Sequence, residues 1–265
     1  MFSRTTASET LTRQDGNMPV YRIADLNIKI VPRSRTFQRQ LKDFKVNDEY
    51  FDFEVSITRE DIKYERLVYA QRNQISSDVP FSVCESLAVY RHICRKILSD
   101  YNGMLLHSAA IEYKGYAYLF SAPSGTGKTT HIRLWKELLG DKASVINGDK
   151  PILRLIDDKI IVYGTPWKGK ENYGSDKNAP LKAVFFLKRA KKNSVCRADA
   201  KSVLPLIMAQ TLRYGDEDNV DKLLLLIEKI ISDTDIYILN CNMDISAAEA
   251  AVSAVDSEYP DKSMC

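Results

Sequence analysis

The sequence predicts an α/β fold, a mixed sheet flanked by helices around a glycine-rich loop, with a small α/β region ahead of it. Apolar runs of strand length come in pairs around turn residues, at Lys114-Gly115 and Asp157-Asp158, which is the pattern of antiparallel hairpins. Other strand-length runs lead through a loop into stretches with apolar residues at helical spacing. Hairpins beside strand-loop-helix units argue for a mixed sheet rather than a purely parallel one.

Taken in order, residues 1–17 are polar, rich in Ser and Thr and without periodicity, as in a mobile tail. Tyr21 to Val31 alternates in its second half and Phe51 to Ile57 alternates throughout, so each reads as a half-buried strand. Ser86 to Leu98 places Leu87, Val89, Tyr90, Ile93 and Ile97 near helical spacing. The small α/β region is therefore assigned to 18–100 and the main domain to 101–257, with 258–265 as a tail. Within the main domain, Met104 to Tyr113 and Tyr116 to Phe120 form a hairpin that runs into the loop, and a helix follows from Gly127 to Leu139, ending near Gly140. Ala143 to Ile146 is a buried strand, Ile152 to Leu155 and Ile160 to Tyr163 a second hairpin, and Leu181 to Leu187 an apolar strand. Residues 201–213 and 218–232 suit two helices, Asp235 to Leu239 a last strand and Ser246 to Val255 a last helix.

With 45% hydrophobic and 28% charged residues, the chain has the composition of a folded globular protein. A net charge of +3 is too weak a basic excess to point to nucleic acid or an anionic membrane surface. The five cysteines are scattered and form no C-x-x-C pair, which favours a reducing, cytoplasmic setting over a disulfide framework or zinc ribbon. The longest apolar run, Leu223 to Ile231, is interrupted by Glu228 and Lys229, so no membrane span is expected.

Ala122-Pro-Ser-Gly-Thr-Gly-Lys-Thr129 has the pattern of a P-loop, with Ala122 where the strict motif begins with Gly. A triphosphate needs many donors close to its oxygens, and small residues at a helix start supply backbone N–H groups without obstruction. Pro123, Ser124, Gly125, Thr126, Gly127, Lys128, Thr129 and Thr130 are the expected nucleotide contacts. Lys128 would reach the β- and γ-phosphates, and the Thr129 hydroxyl would coordinate Mg²⁺. The expected ligands are thus ATP or GTP with Mg²⁺.

Asp149 follows the strand after the loop helix, where its carboxylate suits a metal ligand or the base that accepts a hydroxyl proton. Asn147-Gly148-Asp149-Lys150-Pro151 is also rich in turn formers, so a plain turn is the alternative. His107, just upstream of the loop, is either a strand residue satisfied by the fold or a site residue. The loop Thr165 to Glu171 carries Lys168, Lys170 and Glu171, which could meet a phosphate or an acceptor or simply be solvated. Arg154 and Arg213 are candidate anion clamps or surface residues.

The run His107-Ser-Ala-Ala-Ile, hairpin, Ser124-Gly-Thr-Gly-Lys-Thr-Thr130, helix and Val-Ile-Asn-Gly-Asp149 resembles the catalytic domain of HPr kinase/phosphorylase. The loop wording is also similar to that of phosphoenolpyruvate carboxykinase. Leu-His-Ser-Ala-Ala, the loop through Trp135, Gly164-Thr-Pro-Trp-Lys-Gly-Lys170 and Cys241-Asn-Met resemble bacterial HPr-kinase-like proteins of uncertain substrate, some found with peptide-modification genes. The resemblance covers residues 104 to about 250. It implies a P-loop kinase fold with His107 in the active site and Asp149 as the second member of an Asp-Asp pair, whose first member is Gly148 here. The C-terminal signature of true HPr kinases is not found, so HPr is not the expected acceptor.

The function expected from these residues is a Mg²⁺-dependent kinase. Its acceptor would be the hydroxyl of a peptide, a protein serine or a small molecule, with Lys128, Asp149 and His107 as catalytic residues. The alternatives are a nucleotide-dependent switch with slow hydrolysis, or phosphorolysis on the same fold. Neither a nucleic-acid nor a membrane partner is expected, and the oligomeric state is open.

Overall fold

The computed structural model describes residues 18–76, 78–211 and 219–256. The expected tails, 1–17 and 258–265, and Arg213 lie outside them.

The N-terminal layer is a four-stranded sheet of order β3-β1-β2-β4, made of β1 (Val20–Ile23), β2 (Leu26–Ile30), β3 (Lys45–Val46) and β4 (Phe53–Val55). The single strand expected from Tyr21 to Val31 is in fact a hairpin, because Ala24 and Asp25 both adopt positive φ, 54° and 58°, and reverse the chain. Three helices cover this sheet. The short α1 (Arg35–Leu41) starts at a Ser34 cap, and α2 (Arg59–Asn73) starts at a reciprocal Thr58–Asp61 capping box. Sequence periodicity missed both, since α1 buries only Phe37 and Leu41, and α2 only Ile62 and Glu65. The third, α3 (Phe81–Asp100), extends well beyond the expected helix and has a broad buried face.

The main sheet has nine strands. It contains β5 (Gly103–Leu105), β6 (Ser108–Tyr113), β7 (Tyr116–Ser121), β8 (Ala143–Asn147), β9 (Ile152–Ile156) and β10 (Lys159–Tyr163). It is completed by β11 (Asn178–Arg189), β12 (Ser194–Arg197) and β13 (Asp235–Cys241). The long β11 organises it: Asn178 to Pro180 pair antiparallel with β10, while the rest pairs parallel with β7 on one side and β13 on the other. Through β10 the sheet continues to β9 and β5, and through β7 to β6 and β8; β12 closes the edge beyond β13.

Alternation along β7 and β11 divides the surroundings of this sheet. Tyr118, Phe120, Ala183, Phe185 and Leu187 share a core with α4 (Lys128–Leu139) and α7 (Ile245–Val255). Leu119, Val184 and Phe186 share another with α5 (Ala200–Gln210) and α6 (Val220–Asp233). On the α4 side Phe120, Phe185 and Tyr237 stack across three neighbouring strands, with ring centroids 5.4 and 5.1 Å apart, which pins the parallel register.

The N-terminal layer and the main sheet meet in one continuous core containing Ile93, Ile97, Leu105, Ile152, Tyr163 and Trp167. Trp167 is buried, packs tilted against Tyr90 with ring centroids 4.5 Å apart and donates its indole N–H to Ser86 Oγ at 2.9 Å. Burial of such a ring is worth about 2–3 kcal/mol and its hydrogen bond about 1 kcal/mol. The nearby Lys168–Asp43 pair contributes below about 1 kcal/mol, because Asp43 is half exposed. Trp167 is therefore the main anchor. Arg154 also joins the layers, donating to the carbonyls of Ala24 and Tyr101 at 2.6 and 3.2 Å, so it braces the fold instead of clamping an anion. Among the described residues, no helix is long and apolar enough to cross a membrane.

His131 on α4 lies in the aromatic core, its ring centroid 4.5 Å from that of Phe120, and Nε2 accepts from Trp135 Nε1 at 3.1 Å. Burial pushes its pKa from 6.5 down to about 3. Above about pH 6.5 the imidazole is neutral in both folded and unfolded chains. As pH falls below that value the unfolded chain binds a proton that the folded chain refuses, and stability drops by up to about 1.4 kcal/mol per pH unit. Urea unfolding should show a loss of about 2 kcal/mol between pH 6.5 and 5. His131→Gln, which keeps an acceptor for Trp135, should lose less than half of that; equal losses in both proteins would contradict this assignment.

Candidate functional site

The glycine-rich loop lies between β7 and α4, at the carboxyl end of a strand with a parallel neighbour, where α/β sheets commonly bind ligands. Gly125 and Gly127 have φ of 78° and 128°, conformations that side-chain-bearing residues rarely adopt. The Thr126 N–H closes back on the Pro123 carbonyl at 3.2 Å. Arg189, at the end of β11, donates to the carbonyls of Gly125 and Thr126 and so ties the loop to the sheet. Helix α4 begins at Lys128, directing its unpaired N-terminal N–H groups and positive dipole end toward the loop.

Lys128 is buried and donates from Nζ to the carbonyl of Ala122 at 2.9 Å. Burial pushes its pKa below the ordinary range, against the pull of the Asp149 carboxylate. A buried ammonium with one neutral partner is a strong attractor for an anion, since an incoming phosphate would replace the hydration it lacks.

Asp149 and His107 come together from the ends of different strands. His107 Nε2 lies 3.1 Å from Asp149 Oδ1, and Lys150 Nζ 3.4 Å from Oδ2. The neighbouring backbone is tied in, with Ser108 N–H donating to the Asp149 carbonyl at 3.2 Å. Burial pushes the Asp149 carboxyl upward, yet the His107 hydrogen bond and the Lys150 charge outweigh it and hold the group below the usual carboxylate range. Asp149 is thus kept ionised in a largely enclosed place, as suits a metal ligand or a late proton acceptor.

The turn that carries Asp149 is built by Asn147, which sequence analysis passed over. Its side chain is fully buried, and Oδ1 accepts from the N–H groups of Asp149 and Lys150 at 2.9 and 2.7 Å. Its Nδ2 donates to the carbonyl and hydroxyl of Thr165, both at 3.1 Å. The sequence signal was the Asn-Gly-Asp turn itself. Gly148 is required by space: a Cβ there would stand 2.7 Å from the Lys168 carbonyl. This crowding explains why no carboxylate stands at 148 beside Asp149.

The structure separates the residues expected to meet a substrate. Lys168 is buried and turned toward the N-terminal layer, 3.2 Å from Asp43 and over the Phe44 ring, so it braces the loop. Lys170 and Glu171 are exposed on the same loop. Pro123, Ser124 and Gly125 are exposed, whereas Thr126, Gly127, Thr129 and Thr130 are half-buried. A cavity of about 560 Å³ opens beside the loop, between Ser121 to Thr126, the end of β11 and the last turn of α5. Its walls include Phe186, Leu187, Leu206 and Ala209, and at one corner Gln210, whose Oε1 lies 3.0 Å from His107 Nδ1. No sequence pattern pointed to Gln210 or Arg189.

Gly148→Ala should lower stability by about 1–3 kcal/mol, the usual range for overpacking against backbone. Thermal unfolding checks this, and an unchanged melting temperature would mean that the Lys168 carbonyl yields freely.

No family model and no curated protein matches the chain. Among solved structures it is similar to the Hpr(Ser) kinase/phosphatase from Coxiella burnetii, at 9% sequence identity over 48% of this chain and 88% of that one, with a TM-score of 0.28.

Proposed function

We propose that this protein is a kinase that transfers the γ-phosphoryl group of ATP or GTP to a hydroxyl acceptor. The observation that carries this reading is the convergence of the glycine-rich loop, buried Lys128 and the His107–Asp149 pair at one end of β7 and its neighbours. The loop and the start of α4 supply N–H donors for a triphosphate, and Lys128 exchanges the Ala122 carbonyl for phosphate oxygens.

Thr129 and Asp149 offer hard oxygen donors that fit magnesium, which takes one or two protein oxygens and completes its shell with phosphate and water. When bound, the ion supplies charge neutralisation at the phosphates.

In the proposed step, the acceptor oxygen forms a bond to the γ-phosphorus as the bond to the bridging oxygen breaks, and that electron pair leaves with the nucleoside diphosphate. The hydroxyl proton passes to Asp149, which His107 orients. Positioning and charge stabilisation provide most of the acceleration. The acceptor is a peptide, protein or small molecule carrying a hydroxyl group.

Lys128→Ala should weaken ATP and GTP binding at least about tenfold in isothermal titration, the loss of one charge-assisted contact. Unchanged affinity in a folded variant would remove the phosphate-loop assignment. Asp149→Asn should slow turnover about 10²-fold or more while magnesium-free nucleotide affinity changes little. Near-normal turnover would exclude Asp149 as the base and turn attention to Glu171. Diphosphate release that never responds to any hydroxyl acceptor would favour a nucleotide-dependent switch.

A further inference from the structure

Two peptide groups of the glycine-rich loop are held by a side chain from another strand. Arg189 donates from Nη2 to the Gly125 carbonyl and from Nε to the Thr126 carbonyl, the latter at 3.3 Å. Among the described residues no backbone N–H reaches either oxygen, so without the guanidinium both are left to water. The next carbonyl, of Gly127, accepts from the His131 N–H of α4 at 2.9 Å. Three successive carbonyls are thus engaged, two of them by one residue that lies 63 and 64 positions further along the chain.

In a planar trans peptide the N–H points opposite to the C=O, so fixing an oxygen also fixes the N–H that follows it. The Thr126 N–H, opposite the Gly125 oxygen, turns to the Pro123 carbonyl at 3.2 Å. The Gly127 N–H, opposite the Thr126 oxygen, likewise points away from the guanidinium. Each of these peptide groups borders a glycine, Gly125 in the first and Gly127 in the second, with φ of 78° and 128°. Glycine rotates with little steric cost, so either group can turn over and present its oxygen where an N–H now stands. For a loop that receives an anion the reversal matters, because a carbonyl oxygen repels the phosphate that an N–H attracts.

We propose that Arg189 is a positioning residue for the glycine-rich loop: by occupying the oxygens of Gly125 and Thr126 it keeps both peptide groups from turning over, so that an arriving phosphate meets N–H donors. Arg189 acts through the backbone and not by touching the ligand. The loop is then ordered before the ligand arrives, and affinity rises by the ordering cost removed. This rests on the reading of the loop as a phosphate site. The strand end is secured independently of the side chain, since Arg189 pairs in register with Cys241 and the Ala190 N–H donates to the Cys241 carbonyl at 3.0 Å.

Arg189→Met removes the donors and keeps an aliphatic stem, whereas Arg189→Lys keeps the charge but replaces the planar fork with a single ammonium. Both should melt close to the wild-type temperature, because the side chain is exposed. In isothermal titration with magnesium-free ATP, Arg189→Met should bind about tenfold more weakly, and Arg189→Lys should remain at least about threefold weaker than wild type. The ratio of wild-type to Arg189→Met affinity should hold between about 0.05 and 0.5 M salt, whereas direct attraction of the phosphates by an exposed charge is screened over that range. In the ligand-free protein, the Thr126 amide should exchange its hydrogen about tenfold faster in Arg189→Met, with the Ile132 amide of α4 unchanged. Wild-type affinity in Arg189→Met, full rescue by lysine, a deficit that vanishes at high salt, or unchanged exchange at Thr126 each overturns the proposal. If the wild-type protein itself binds no ATP, the phosphate-loop reading fails and the proposal with it; normal binding that Arg189→Met leaves unaltered removes the proposal alone.

Discussion

The parallel pairing of β7 with β11 is the constraint on which the remaining geometry depends. It puts the end of β7, and with it the glycine-rich loop, beside Phe186 to Arg189 at the end of β11. Arg189 can then hold the loop carbonyls of Gly125 and Thr126, and the last turn of α5 forms another wall of the cavity. The register is held by stacking of Phe120, Phe185 and Tyr237 and by the opposite-facing Leu119, Val184 and Phe186. A slip of one residue would exchange these two faces and leave the loop without its neighbours.

A second layer of control comes from the turn between β8 and β9. Asn147 satisfies the turn's N–H groups, Thr165 satisfies Asn147, and the chain next to Thr165 is anchored by Trp167 in the N-terminal layer. The carboxylate of Asp149 is thus connected through buried hydrogen bonds to a ring packed on Tyr90 of α3. The N-terminal layer therefore helps to hold the candidate site, although none of its residues enters the His107–Asp149 pair. Buried, fully satisfied networks of this kind give a functional group one orientation, because each alternative leaves a polar atom without a partner.

Electrostatically, the site holds two groups displaced by opposing influences. Lys128 loses hydration to burial and has a neutral carbonyl as its direct partner. Asp149 is pushed up by burial and pulled further down by His107 and Lys150. Lys128 and Lys150 thus stand near a single carboxylate, next to a loop of N–H donors.

Much of the fold was legible in the sequence, because strand alternation and helix spacing record which face is buried. The hairpins at Lys114-Gly115 and Asp157-Asp158, the helix ending at Gly140 and β11 and β13 follow from that record. The first hairpin was not legible, since Ala24-Asp25 is an uncommon pair for two positive φ values, and α1 and α2 bury too few residues to leave a clear period. At the site, the glycine-rich loop was readable because its chemistry is local: two glycines, a lysine and a threonine within eight residues of backbone. The partners of His107 were not, because Asp149 and Gln210 lie 42 and 103 residues away and meet it only through sheet order and the docking of α5. Lys168 shows the same limit: its sequence neighbourhood left a ligand contact and a solvated loop equally open, and tertiary packing sets its ammonium against Asp43 and Phe44. Local sequence determines what a segment can do; which atoms stand within hydrogen-bonding distance was decided by long-range pairing.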